Sequence, residues 1–424
     1  MAVFIVTLAM LYFPLLPNIS IGPFEASATV IPILLLAGAA LLKLRKKTEI
    51  PQITAWQKTL LFFLALSFIL AGIFTSSMQI TLKLLPNMGL YILELFAIPI
   101  LVDTNRKLVI VAKASMVLAF ILSFWKVELD YFRGLFGLSG LGGINGIVFD
   151  FHPAVAIGLV VLLVQPSWFS RRWQLFSAFT LVSLVLHGVG FQTRAAWLAW
   201  MIMLIIIISC LPARSMFKLI FLIIPIIILL LWPYMSLFMS NLDQTQRTVT
   251  ALSTENFTSI SKDDLMREVG LRAGLTMFRE RPLLGWGPGL YDAMLGRYSS
   301  VQDRTLAAGA FNAWLISLAE MGLLTVIAIL AIVLTPLWIS WRRLRKDPND
   351  HKWLALAFSL GVAGMAVHLF FISLMFSFFW FHLGLALAGG RLVLLDIEEQ
   401  PLISPSSLGT IKFKPQYKAP LRKI

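Results

Sequence analysis

Residues 214–242 run Arg214-Ser215-Met216-Phe217-Lys218, then LIFLIIPIIILLLWPYMSLF over 219–238, then Met239-Ser240-Asn241-Leu242. A basic cluster, a long uncharged run and a polar exit form the unit from which the fold is read. A helix needs about 20 apolar residues to cross a bilayer, because lipid leaves every backbone N–H and C=O to be satisfied within the helix itself. The same order recurs along the chain. Of its 424 residues 58% are hydrophobic and 13% charged, with a mean hydropathy of +0.85. Soluble domains sit nearer 45–50% apolar and 25% charged, so the composition is that of a protein dissolved in lipid.

Apolar runs fall at 2–17, 27–42, 58–77, 87–102, 108–125, 146–164, 173–190, 194–211, 217–238, 310–340, 353–373 and 375–394. Between them, basic residues cluster at Lys43–Lys47, Arg106–Lys107, Arg171–Arg172, Arg214–Lys218 and Arg342–Lys346. The tail adds Lys412, Lys414, Lys418, Arg422 and Lys423. With twelve crossings every one of these clusters falls on one side, as the positive-inside rule requires. Both termini are then cytoplasmic. The net charge of +14 therefore reports topology, and no nucleic-acid partner is expected. The first run, Val3 to Leu16, lacks a basic n-region and a small-residue cleavage site, so it reads as a span and not as a signal peptide. Cys210, the single cysteine, excludes an intrachain disulfide and a cysteine metal cluster; in its apolar run it reads as a small buried hydrophobe.

The expected fold is an all-α polytopic membrane protein of about twelve transmembrane helices. Residues 1–241 carry the first nine spans, 242–309 form a large periplasmic loop containing short helices, 310–395 carry the last three spans, and 396–424 form a disordered cytoplasmic tail. The segment Lys126 to Asn145 is a second, shorter outer connection. The loop Leu242–Gly309 is unlike the rest of the chain. It holds eight basic residues (Arg247, Lys262, Arg267, Arg272, Arg279, Arg281, Arg297, Arg304) and eight acidic ones (Asp243, Glu255, Asp263, Asp264, Glu268, Glu280, Asp292, Asp303). Its charges cancel, so they are not topology signals, and loops of this length are usually functional.

The middle of the loop predicts a helix. Ser261 is the candidate N-cap, with Asp263 and Asp264 in the first turn where carboxylates complement the helix dipole. Leu265, Val269, Leu271, Leu275 and Phe278 supply an apolar stripe. Pro282 stops the helix, and Gly285-Trp286-Gly287-Pro288-Gly289 forces turns. The expected result is a lid lying on or dipping into the outer membrane surface over a cavity.

Arg194, in Gln192-Thr193-Arg194-Ala195-Ala196-Trp197, stands at the outer end of a span. An ionisable residue there is a functional-site candidate. The alternative is snorkelling to the interface, against which the positive-inside bias runs. Arg267 and Arg272 lie five residues apart, about 140° round a helix, so they cannot share a face. One could reach a site while the other pairs with Glu268; the sequence leaves open which. A guanidinium fork matches phosphate oxygens, so Arg194 and one loop arginine could clamp an anionic lipid headgroup, although a salt-bridged surface helix would look the same.

The histidines, His152, His187, His351, His368 and His382, show no metal-ligand spacing, and no metal or cofactor is expected. His152 and His187 are candidates for an acid or base, set against the commoner role of a hydrogen-bonded helix histidine. His351 looks inert. The glycine turn lacks the Lys-Ser/Thr of a P-loop. No internal repeat is visible.

Arg267 followed by Pro282-Leu283-Leu284-Gly285-Trp286-Gly287-Pro288-Gly289, then Asn312-Ala313-Trp314-Leu315 with Leu318, Glu320 and Gly322, resembles the core signature of the bacterial O-antigen ligase and polymerase superfamily. Thr193-Arg194-Ala195-Ala196-Trp197-Leu198 is similar to that family's arginine motif. The resemblance covers residues 140–340 by motif and the whole chain by hydropathy. It implies a metal-independent membrane glycosyltransferase at the periplasmic face of the inner membrane, with a glycan on undecaprenyl pyrophosphate as donor. The acceptor is lipid A–core for ligases and another lipid-linked glycan for polymerases. By position, Arg194 and Arg267 would hold the pyrophosphate, which raises Arg267 above Arg272, while Asn312 and Trp314 join the substrate-binding set. Glu320, His152 and His187 are candidates for taking the proton, although Glu320 reads better as a capping or pairing residue. The ligases carry a histidine directly before the motif asparagine; here that position is Phe311. A phenylalanine takes no proton, which leans the expectation towards polymerase with ligase as the alternative. A transporter of an anion or lipid-linked sugar is a second alternative, disfavoured by the absence of repeats and of midplane charges.

Overall fold

The structure, a computed structural model, describes residues 18–21, 24–27, 30–45, 54–135, 151–190, 194–211, 262–298, 312–371 and 377–395. The expected spans 2–17 and 217–238, the tail after 396 and much of the 242–309 segment lie outside the described residues. So do Ser261 and Phe311, and so do the side chains of His187, Arg194 and Arg267.

A short antiparallel hairpin, β1 (Asn18–Ile21) and β2 (Phe24–Ser27), opens the described chain, with Asn18 opposite Ser27 and Ile21 opposite Phe24. Apart from this hairpin, the described chain is helical, in line with the all-α expectation. Helices follow: α1 (Val30–Arg45), α2 (Ala55–Ile73), α3 (Met78–Leu101), α4 (Asn105–Leu135), α5 (His152–Val164), α6 (Arg171–Gly190) and α7 (Arg194–Cys210). Then come α8 (Lys262–Glu280), α9 (Leu290–Tyr298), α10 (Ala313–Lys346), α11 (Asp350–His368) and α12 (Ser377–Leu395). The helix α4 runs to Leu135, ten residues past its expected end, into the segment read as a connection. Among the described residues four helices, α2, α3, α10 and α12, are long and apolar enough to cross a membrane, and α5 and α7 are shorter apolar helices.

The bundle is built around α11 and α12. Asn349 accepts the Lys352 N–H on Oδ1 (3.0 Å) and starts α11; from Trp353 to Met365 that helix is buried almost all round. A helix apolar on every side belongs in the interior of a helical array. α11 packs on α12, α5, α10 and α7, while α12 also packs on α3 and α10. The peripheral helices have the opposite surface. Leu34, Leu41 and Leu42 on α1, Phe62, Phe63 and Ile73 on α2, and Ile327 and Leu334 on α10 are exposed. Large outward-facing apolar stripes on several helices are costly in water and fit acyl chains; the chain is a membrane protein.

Candidate active site at one end of the bundle

The long helix α10 is broken near its start. Gly322 has φ 73° and ψ −179°, a conformation open to glycine and strained for other residues. In an unbroken helix Leu323 N–H would bond to Ala319 O and Leu324 N–H to Glu320 O. The kink separates both pairs, and a buried backbone group must find another partner. The turn after α8 supplies all four partners. Trp286 N–H donates to Ala319 O (3.0 Å) and Gly287 N–H to Glu320 O (2.8 Å), while Pro282 O accepts from Leu323 N–H (2.8 Å) and Leu283 O from Leu324 N–H (3.4 Å).

That fit explains the glycines. Gly285, Gly287 and Gly289 all have positive φ. A Cβ on Gly285 would lie 2.3 Å from the Glu320 carbonyl oxygen, and one on Gly287 would lie 1.9 Å from Thr75 Oγ1. The other side of the turn is gripped by the corner between α2 and α3. Ser76 N–H donates to Trp286 O (2.9 Å), and Thr81 Oγ1 to Pro288 O (3.3 Å). Trp286 Nε1–H reaches back to Met277 O (3.1 Å), satisfying a carbonyl of the last turn of α8. The guanidinium of Arg281 lies 4.1 Å from the Trp286 ring centre and donates to Ser76 Oγ (2.9 Å). Trp286 is thus the pin of a lock joining α8, α10 and the α2–α3 corner.

Next to the lock, Glu320 Oε1 accepts from Tyr291 N–H (2.9 Å) at the start of α9. A carboxylate there meets the positive end of a helix dipole. Of the two roles the sequence suggests for Glu320, this geometry is that of the capping residue. Tyr291 OH donates to Gly270 O on α8 (2.7 Å), and burial, with Asp292 and Glu320 nearby, pushes its phenol far above the ordinary range. It therefore remains a neutral donor.

The lock fixes the rotation of α8. Gly270, Ala273, Gly274 and Met277 are buried, and a Cβ on Gly274 would lie 2.7 Å from Leu315 Cγ on α10. Arg272 is on the other side, 67% exposed, with Nε 2.5 Å from Glu268 Oε1. The pair expected for one of the two loop arginines is therefore made by Arg272. Position 267 precedes Gly270 by three residues and Gly274 by seven, the spacing of one helix face.

The start of α10 is tied to the end of α11. Asn312 Oδ1 accepts from Leu315 N–H (3.0 Å) as N-cap, Ala313 N–H donates to Leu369 O (2.8 Å), and Trp314 Nε1–H donates to Ala366 O (2.8 Å). Asn312 and Trp314, candidates for binding substrate, thus have structural partners of their own. One step away lies a buried polar chain absent from the sequence reading. Trp200 Nε1–H of α7 donates to His152 Nδ1 (2.8 Å), and His152 Nε2 meets His368 Nδ1 (2.9 Å). Indole is a donor only, so His152 must hold its proton on Nε2 and donate it to His368. This is the hydrogen-bonded histidine weighed against a base. Arg194 opens α7 six residues before Trp200, about 9 Å along the axis at 1.5 Å per residue.

The starts of α5, α7 and α10 and the end of α11 therefore meet at one end of the bundle, with α7 and α8 both packing on α10. His152, Asn312, Trp314 and the backbone of Arg194 belong to this end, and Glu320 stands behind it in the lock. Residues 179–330 match a family model described as O-antigen ligase. The match runs from the middle of α6 to the first half of α10, so it includes Arg194, Arg267, the glycine turn and Glu320, and leaves out His152 and His368. It supports the O-antigen ligase and polymerase superfamily, the same one that the motifs resemble. A search of curated proteins returned no match.

Proposed function

We propose that the chain is an inverting glycosyltransferase of surface-polysaccharide synthesis, working at the periplasmic face of a bacterial inner membrane. An acceptor sugar hydroxyl attacks the anomeric carbon of a glycan carried on undecaprenyl pyrophosphate. The new C–O bond forms as the bond to the pyrophosphate breaks, and the pyrophosphate leaves with the electron pair against Arg194 and Arg267. Guanidiniums placed where charge develops lower the barrier electrostatically, and their forks suit phosphate oxygens.

The observation that carries this reading is the engagement of Arg272 with Glu268 on the exposed side of α8. With Arg272 occupied, position 267 is the loop arginine on the stripe of Gly270 and Gly274, which packs against the start of α10. Both Arg194 and Arg267 lie within the residues that match the family model. Glu320 serves the lock and is not assigned the proton, which passes to solvent or to the departing phosphate oxygens.

Phe311, in the place of the ligases' histidine, favours polymerase, with a second lipid-linked glycan as acceptor. The ligase reading, with lipid A–core as acceptor, is supported by the description of the matched family. Proteoliposomes loaded with purified lipid-linked glycan test both. Chain elongation identifies a polymerase, and transfer to added lipid A–core identifies a ligase. Arg194→Ala and Arg267→Ala are each expected to abolish either product. Normal product from both well-expressed variants, or glycan flux with no new bond, would overturn the proposal.

A further inference from the structure

At the opposite end of the bundle, cations gather on the last turn of α3. Lys43 Nζ of α1 donates to Ile100 O (2.7 Å) and pairs with one carboxylate oxygen of Asp103. Lys107, in the first turn of α4, pairs with the other oxygen. Arg391 reaches in from α12, and its Nη2 donates to Val102 O (3.4 Å). Capping accounts for part of this arrangement, since cations suit the negative end of a helix dipole. It does not account for all of it. The dipole end carries only about half an elementary charge, while two lysines pair with one carboxylate and a third cation, Arg391, sits on the adjacent Val102 carbonyl. Burial works against charge on Asp103, yet Lys107 and Lys43 hold its carboxyl below the ordinary range, so it counts as one full negative charge and no more. Arg391 is 1% exposed, and its Nε and Nη1 have no hydrogen-bond partner among the described residues. A buried cation with unmatched donors is expensive unless an anion completes it.

Lys43 and Lys107 are 20% and 27% exposed, so a ligand can reach them from the side, while Arg391 is buried beside the same helix end. Immediately before Lys43, Leu41 and Leu42 are exposed apolar residues on α1, a surface for acyl chains directly beside the cations. Arg45 and Arg106 are exposed next to the two lysines and add to the local positive potential.

We propose that Lys43, Lys107 and Arg391 form a binding site for a phosphate group, carried by an anionic phospholipid of the leaflet on that side or supplied as free phosphate. Basic pockets between helices at a membrane surface recognise anionic headgroups in this way. The assignment is independent of the transferase reading, since it lies at the other end of the molecule.

The test uses the full-length protein in neutral detergent, with lipid binding followed by native mass spectrometry. Phosphatidylglycerol is titrated against phosphatidylcholine, and inorganic phosphate is titrated alone and as a competitor. Wild type is expected to retain phosphatidylglycerol at least tenfold better than phosphatidylcholine. The double variant Lys43→Gln/Lys107→Gln, altered only at the two partly exposed lysines, should retain the two lipids equally. Binding of inorganic phosphate alone, lost in the same variant, would identify free phosphate as the source. Equal retention of both lipids by wild type with no phosphate binding, or phosphatidylglycerol binding unchanged in the double variant, would overturn the site.

Discussion

Gly322 and Leu283 meet so closely that a Cβ on the glycine would lie 2.2 Å from the Leu283 carbonyl oxygen. The contact exists because the turn replaces the hydrogen bonds that the Gly322 kink breaks. Gly322→Ala must therefore give up either the backbone conformation, at about 1–3 kcal/mol, or the seat of the turn. The expected outcome is a lower unfolding temperature and new protease cleavage within residues 281–289. Gly285→Ala should behave alike. Gly296→Ala, on α9 with nothing near its missing Cβ, is the control and should be neutral or slightly stabilising. Equal behaviour of the three variants would refute the lock.

Much of the helical layout was legible from composition alone. The runs 173–190 and 194–211 correspond to Arg171–Gly190 and Arg194–Cys210, and 375–394 to Ser377–Leu395, because about 20 apolar residues between polar ends are a strong signal. Where polarity and helicity part company, the reading failed. The segment from Lys126 onward reads as an outer connection, yet α4 continues through Lys126, Glu128, Asp130 and Arg133 to Leu135, since long charged side chains are good helix formers. The four-residue strands at Asn18–Ile21 and Phe24–Ser27 are too short to show a period. At the site, the glycine turn and the arginines were legible as motifs, but their roles were not. A lone glycine inside an apolar run does not announce a kink, and His152 and His368 are 216 residues apart, so only folding brings them together.

The two loop arginines make a contrast that can be measured. Arg272 is exposed and engages Glu268 at i,i+4, a pairing that contributes about 0.2–0.5 kcal/mol. Arg272→Ala should leave the initial rate of glycan transfer within about threefold of wild type, which is less than 1 kcal/mol. Arg267→Ala should lower it by two orders of magnitude or more, about 2.7 kcal/mol. The reverse order would move the anion clamp to Arg272.

Glu320 separates a capping role from chemistry. Its Oε1 accepts from Tyr291 N–H, and a glutamine oxygen can do the same. Glu320→Gln is expected to keep both fold and transfer, while Glu320→Ala leaves the start of α9 without its acceptor and costs about 1–3 kcal/mol. Thermal melts and transfer rates, taken together, decide the point. A Glu320→Gln protein that melts like wild type but makes no product would show that the carboxylate takes part in the reaction.

The chain from Trp200 through His152 to His368 has a direction imposed by its first member. Trp200→Phe removes the N–H that occupies His152 Nδ1 while keeping most of the ring volume. The buried acceptor then loses the indole donor, at about 1–3 kcal/mol, and the indole no longer holds the proton on His152 Nε2. Imidazole nitrogen NMR on histidine-labelled protein should show a single Nε2–H tautomer for His152 in wild type and a mixture in the variant. His152→Asn gives the complementary result, because an amide cannot span the distance between Trp200 and His368. It should loosen α5, α7 and α11 at the end where Arg194 begins its helix, and transfer should fall with it. A wild-type protein with mixed His152 tautomers would show that Trp200 does not set the direction, and the histidine pair would have to be reconsidered as a site of proton exchange.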